Sequence, residues 1–270
     1  MSCSFCIGNS RPPHFMSVDE FSHIINQVEP FTDYIYLHVL GEPLAHPNLQ
    51  SLIEIASIHN LKVNITTNGT LLRKKQDVLL NSTALRKVSV SLHSLETDDA
   101  NVRKQYLYDV ANFANLATNK NILCELRLWN LGVDNIHNEN IFYSICKNLQ
   151  LDDETIKATE NNININGSTT LKPKLFLGKA KRFNWPSMNV PLTNKSVYCY
   201  GLKSQFAILC DGTVVPCCLD SCGDINLGNI HTTNLKDILN SERCNAIRVG
   251  FLNRKPHEEL CKRCGYATRF

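Results

Sequence analysis

Long apolar runs are missing from this chain. Nothing in its 270 residues approaches the ~18 consecutive apolar positions that a membrane-spanning helix needs. Strong charge of either sign is missing too. A net charge of +3 is too small to argue for nucleic acid or a membrane surface as partner. Nothing at the N-terminus reads as a signal peptide, since Asn9-Ser10-Arg11-Pro12-Pro13 is polar and helix-breaking. No internal repeat and no low-complexity segment is visible. These absences leave an ordinary globular chain, 43% hydrophobic and 20% charged, expected in the cytoplasm.

Cysteine is what the chain has in excess, with twelve. Without an export signal, that number points to metal or redox chemistry rather than disulfides. The distribution agrees. Cys3 and Cys6 stand at the front, and eight more fall between Cys199 and Cys264. Only Cys124 and Cys146 lie between, in apolar surroundings that suit small buried hydrophobes.

The front half alternates strand and helix patterns. Ser17-Val18-Asp19-Glu20 is a capping box, followed at helical spacing by Phe21, Ile24, Ile25 and Val28. Tyr34 to Leu40 is a continuous apolar run that predicts a buried parallel strand. A helix opened by Pro47 follows, then a strand at Lys62–Thr67, a helix over 71–81 and a strand over 87–92. Next come a helix over 102–117, a strand over 122–129 and a helix over 141–149. Repeated βαβ units imply a parallel sheet, with chemistry at the carboxyl ends of its strands. From Asp152 to about Ser196 the periodicity fades. Asn161–Gly167 and Lys174–Leu177 read as strand pieces, and Ser168-Thr169-Thr170 as loop.

Cys3-Ser4-Phe5-Cys6 is a C-x-x-C clamp suited to soft metals or an iron–sulfur cluster. Downstream stand Gly41-Glu42-Pro43, Thr66-Thr67-Asn68-Gly69 and Ser89-Val90-Ser91-Leu92, each at a predicted strand end. Arg127 is a charge inside an otherwise apolar strand, and Glu125 shares its face by alternation. Read alone, Gly41-Glu42-Pro43 is a tight turn, and Thr67 and Ser91 are hydroxyls that contact a ligand or satisfy turn backbone. His38 and His93 also sit near strand ends as candidate proton donors or hydrogen-bonded lining.

In order and spacing, these motifs resemble the radical S-adenosylmethionine (SAM) enzymes. The resemblance implies that Cys3 and Cys6 are two of the three thiolates of a SAM-binding [4Fe–4S] cluster in a C-x-x-x-C-x-Φ-C loop. The third would stand four residues before Cys3, ahead of Met1. It further implies that Phe5, Gly41, Glu42, Pro43, Thr67, Ser91 and Arg127 form the SAM site. Gly41-Glu42-Pro43 would receive the amino group, Thr67 and Ser91 the ribose or carboxylate, and Arg127 the carboxylate. No catalytic residue is assigned.

In the C-terminal part, Asp211 to Cys217 reads as a hairpin leading to a thiol, and Cys261-Lys262-Arg263-Cys264 as a second clamp. Cys199, Cys217, Cys261 and Cys264 make a four-thiolate set that suits structural zinc or a fully ligated [4Fe–4S] cluster. Cys218 and Cys222 are near enough in sequence to replace Cys217. The spacing resembles the SPASM domain, or its shortened twitch form, which implies one auxiliary [4Fe–4S] cluster. A further SPASM cysteine would fall at Phe270.

The expected architecture is therefore α/β. Residues 1–196 form a partial (β/α)6 TIM-like barrel lacking its first strand, and residues 197–270 a small cysteine-rich α+β auxiliary-cluster domain. The expected function is a radical SAM oxidoreductase or maturase acting on a peptide, protein or small molecule, reduced by a donor such as flavodoxin or ferredoxin. The alternatives are a noncatalytic iron–sulfur or zinc relic of the same fold and a zinc-stabilised interaction module.

Overall fold

The computed structural model describes residues 3, 6–8, 11–131, 138–192 and 196–269. In chain order its front elements are α1 (Val18–Val28), β1 (Tyr34–Leu37), α2 (Leu49–Ile58), β2 (Lys62–Thr67), α3 (Leu72–Leu80), β3 (Leu85–Ser91) and α4 (Ala100–Asn119). There follow β4 (Leu123–Leu131), α5 (Asn138–Asn148), α6 (Asp153–Asn166), β5 (Ser168–Lys172) and β6 (Leu175–Lys181). The last third holds β7 (Ala207–Ile208), β8 (Thr213–Val215), β9 (Gly228–Asn229), α7 (Leu235–Leu239), α8 (Glu242–Leu252) and α9 (Glu259–Lys262). No helix among the described residues is long and apolar enough to cross a membrane.

The chain divides into two compact units. The first comprises residues 1–6, 32–38 and 42–182 and is built on a six-stranded sheet of order β1-β2-β3-β4-β6-β5. All its neighbours are parallel except the β5–β6 hairpin. This is the expected α/β topology. One face of the sheet is apolar and fully buried through Val63, Ile65, Val88, Val90, Leu126, Leu128, Leu175 and Leu177. Strand alternation puts Asn64, Thr66, Lys87, Ser89, Ser91, Glu125, Arg127 and Trp129 on the other face. That second face is polar, and it carries the chemistry.

Four local expectations are corrected. β1 is an outer strand among those described, with Tyr34 and Tyr36 at 46% and 60% exposure, not a strand buried on both faces. Residues 161–166 belong to helix α6 rather than to a strand. Asp152 caps that helix by accepting from Thr155 N–H at 2.7 Å, and Gly167 ends it at φ 70°. Ser168-Thr169-Thr170 is strand, paired with 176–178 across the hairpin, because Thr favours a pleated, half-buried surface. Pro47 precedes the Asn48 cap of α2 rather than occupying its first turn.

The second unit comprises residues 7–31, 39–41 and 183–270. The Ser17–Glu20 capping box of α1 is present in both directions, at 3.1 and 2.7 Å. A small antiparallel sheet, β7-β8-β9, precedes α7, α8 and α9 in the chain. Its β7–β8 turn is made by Asp211, whose carboxylate accepts from Thr213 N–H at 3.1 Å, and by Gly212 at φ 82°. Arg11 pairs with Asp211 and braces the same turn.

Candidate functional site

Glu42 organises the loop ends of the first unit. One carboxylate oxygen accepts from the Thr67 hydroxyl at 2.7 Å and from Leu44 N–H at 3.0 Å. The other accepts from Asn68 N–H at 2.8 Å. Thr67 in turn accepts from Gly69 N–H at 3.0 Å. Gly69 sits at φ 81°, where an added Cβ would meet Val90 and the Tyr106 hydroxyl within 3.0 Å. Tyr106 donates to the Asn68 carbonyl at 2.8 Å. The segment after β1 is thus tied to the turn after β2 by charge-assisted hydrogen bonds, the stronger kind. Gly41 has φ 105°, which favours glycine, and an added Cβ there would meet nothing within 4 Å among the described residues. Pro43 opens a short 3₁₀ turn behind Glu42.

Thr67 and Ser91 do not face the same way. In register Thr67 pairs with Val90, whereas Ser91 pairs with Arg127. Partners in a parallel ladder share a face, so Thr67 lies on the apolar side and is 2% exposed. Its hydroxyl is committed to Glu42 and Gly69. Ser91 is half-buried on the polar face, and its hydroxyl has no hydrogen-bond partner among the described residues.

At the middle of the polar face, Glu125 gathers three donors. Its Oε2 accepts from Lys87 Nζ at 2.6 Å, Arg127 Nη2 at 2.8 Å and the Ser89 hydroxyl at 2.9 Å. Burial on its own would raise the Glu125 pKa, but Arg127 and Lys87 overcome it and hold the carboxyl at about 2. The Arg127 guanidinium lies 4.4 Å over the Trp129 ring, a cation–π contact. Gly178, in register with Arg127, leaves the space that Trp129 fills. An open cleft of about 440 Å³ lies beside this network, lined by Lys87, Glu125, Asn162, Ser168, Thr170 and Phe176.

His38 is on the same face as Tyr36, whose ring meets it edge-on at 5.6 Å. Burial, and then the charge of Arg127, lower its pKa to about 4. Its Nδ1 is buried without a hydrogen-bond partner among the described residues, as is Arg127 Nε. Such an atom costs roughly 1–3 kcal/mol. His93 is spoken for: its Nδ1 lies 3.0 Å from the Arg127 carbonyl and 3.3 Å from Trp129 N. Cys3 stands at the end of β3, its thiol donating to the Ser94 carbonyl at 3.6 Å, and Cys6 N–H closes a turn onto the Cys3 carbonyl at 3.0 Å. Phe5 lies outside the described residues. Alternation along β3 and β4 could have identified Lys87, Ser89 and Trp129 as members of the site; the unpaired nitrogens carried no signal in the sequence.

In the second unit the four expected cysteines lie near enough to feel one another's charge. Leu202 N–H reaches the Pro216 carbonyl at 3.3 Å, and a Cβ on Gly201 would stand 3.3 Å from that same oxygen. The Cys199 and Cys217 segments therefore run in close contact. Fully buried Val214 and Val215 anchor the strand before Cys217, and buried Leu260 anchors the clamp. Burial raises the pKa of all four thiols, and each of Cys217 and Cys261 also feels the charge of Cys199 and Cys264. Cys218 belongs to the same group through Cys199. Cys218, which the sequence offers as a replacement for Cys217, thus stands within the same electrostatic neighbourhood as the four expected thiols. Among the described residues, no three His, Cys, Asp or Glu side chains are placed to hold one metal ion as they stand. The donor set is all sulfur, and buried thiolates need a cationic centre to be stable together. That chemistry fits a zinc ion or an iron–sulfur cluster. At the front, Cys3 and Cys6 offer two thiolates to another.

Comparison with known proteins agrees. Residues 199–265 match the SPASM family, described as an iron–sulfur cluster-binding domain, and residues 1–143 match the radical SAM superfamily. An AdoMet-dependent heme synthase of Methanosarcina barkeri is 30% identical over 104 residues, 37% of this chain and 30% of that protein. The chain therefore aligns with less than a third of that relative's length. Among solved structures, BtrN in complex with AdoMet and 2-DOIA has TM-score 0.58 at 16% identity, covering 98% of this chain and 87% of BtrN. Streptococcus suis SuiB bound to precursor peptide SuiA has TM-score 0.58 at 14% identity, covering 98% and 66%. At such identities these likenesses show the fold alone. The family match covers more than half of the sequence, and the chain belongs to the radical SAM superfamily of enzymes, whose cofactors are SAM and a [4Fe–4S] cluster.

Proposed function

We propose that this chain is a radical SAM oxidoreductase or maturase with one auxiliary [4Fe–4S] cluster. When bound, SAM and its cluster supply a one-electron cleavage that yields methionine and a 5′-deoxyadenosyl radical, which takes a hydrogen atom from substrate. Residues 1–196 hold the SAM site and residues 197–270 the auxiliary site. Cys3 and Cys6 ligate the first cluster, with Phe5 beside it. Cys199, Cys217, Cys261 and Cys264 ligate the second, which serves as electron acceptor or anchor for the substrate.

Gly41, Glu42 and Pro43 shape the turn that receives the SAM amino group. Thr67 acts by holding Glu42 in place rather than by touching SAM. Ser91 and Arg127 face SAM directly, Ser91 with a free hydroxyl and Arg127 toward the carboxylate. The substrate, a peptide, protein or small molecule, occupies the polar face beside Glu125, and a flavodoxin or ferredoxin supplies the electron.

The observation that carries this reading is the Glu42–Thr67–Asn68 tie standing in the same unit as Cys3, Ser91 and Arg127. A mere scaffold has no use for a half-buried arginine whose buried Nε is an unfilled donor among the described residues. Anaerobic reconstitution followed by iron and sulfide analysis tests it. About four irons should depend on the C-terminal cysteines, and additional iron should depend on Cys3 and Cys6. Zinc in place of iron at both sites overturns the reading.

A further inference from the structure

Two buried nitrogens on the polar face of the sheet, His38 Nδ1 and Arg127 Nε, have no hydrogen-bond partner among the described residues. The remaining contacts of Arg127 are accounted for by Glu125, Ser89 and the Trp129 ring. The charges beside it do not balance. Lys87 and Arg127 are two cations sharing one carboxylate, that of Glu125, so one positive charge is left over in a half-buried place. Burial and Arg127 keep His38 neutral down to about pH 4. Its imidazole therefore offers a hydrogen bond without adding a second charge.

We propose that His38 Nδ1–H and Arg127 Nε–H bind one carboxylate between them, and that this carboxylate belongs to SAM. The inference rests on the reading above that directs Arg127 at the SAM carboxylate, and it adds His38 as a binding residue. A carboxylate has two oxygens and about four acceptor sites, enough for both donors. It also removes the surplus charge. A hydroxyl would fill the hydrogen bonds and leave the charge unpaired. The Tyr36 ring, edge-on at 5.6 Å, keeps the imidazole on this face.

The test is equilibrium binding of SAM and of decarboxylated SAM to the anaerobically reconstituted holoenzyme, by calorimetry. It compares the parent chain with His38→Leu, His38→Gln and Arg127→Gln, each checked for unchanged iron content and melting temperature. His38→Leu should lose about tenfold of the preference for SAM over its decarboxylated form, or about 1.4 kcal/mol, with affinity for the decarboxylated form unmoved. His38→Gln, which keeps an N–H donor, should restore most of that preference. The His38 Nδ1 resonance in ¹⁵N spectra should shift with SAM and stay still with the decarboxylated form. If Arg127→Gln abolishes the preference while His38→Leu leaves it whole, the role of His38 is wrong and that of Arg127 stands. If neither variant changes the preference, the carboxylate lies elsewhere and both fall.

Discussion

The Glu42 carboxylate and the Thr67 hydroxyl meet at 2.7 Å, with the second Glu42 oxygen 2.8 Å from Asn68 N–H. The ends of two adjacent strands are thereby locked, and Glu42 supplies the carboxylate of the lock. Thr67→Val removes a hydrogen bond to a charged group, and Thr67→Ser keeps it. Such bonds are worth about 1.5–3 kcal/mol. Thr67→Val should weaken SAM binding about tenfold or more, and Thr67→Ser should not, as read by titration of the reconstituted enzyme.

Glu125 is the counter-ion of both Lys87 and Arg127. Glu125→Leu should therefore destabilise the fold by about 1–3 kcal/mol, the usual cost of leaving partly buried charged donors without their acceptor. Urea unfolding measures this. Because its folded pKa is held down at about 2, the stabilisation is complete above the ordinary carboxylate range and fades as pH falls toward that value. The gap in stability between the parent chain and Glu125→Gln should shrink along the same course.

His38 should titrate with a midpoint near 4 in ¹H–¹⁵N spectra of the SAM-free protein. A histidine whose folded pKa is depressed contributes stability that is full above its ordinary pKa near 6.5. That contribution is lost as pH falls from there toward 4. His38→Leu should abolish this part of the acid sensitivity.

Much of the frame was legible because the signals were local. The Ser17 capping box, the Lys62–Thr67 strand and the apolar stripes of α4 and α5 each carry their own periodicity. Helix α6 hid because six of its residues are Asn or Thr, poor helix formers. Its Ile156 and Ile163 nonetheless keep helical spacing and are buried. The polarity of Thr67 was legible but its direction was not, since the facing of a strand-end residue depends on register with β3. Pairing of Arg127 with Glu125 followed from alternation. The joining of Lys87 and Ser89 to the same carboxylate, and the unfilled nitrogens of His38 and Arg127, depend on how neighbouring strands align.

The auxiliary site makes its own test. Replacing Cys199, Cys217, Cys261 or Cys264 by Ser should remove about four irons per chain. Cys218→Ser should keep them, although its thiol lies in the same group. Cys244, buried and donating to the Ile238 carbonyl at 3.1 Å, should tolerate Ala with a loss of about 1 kcal/mol and full iron content.

The most direct measurement is 5′-deoxyadenosine production from SAM under strong reductant, on a chain extended upstream so that a cysteine stands four residues before Cys3. Steady production that disappears in Cys3→Ala and Cys6→Ala is the expected result. Absence of 5′-deoxyadenosine from the extended, iron-loaded chain would contradict the account, and would leave the C-terminal module as the only working part of the molecule.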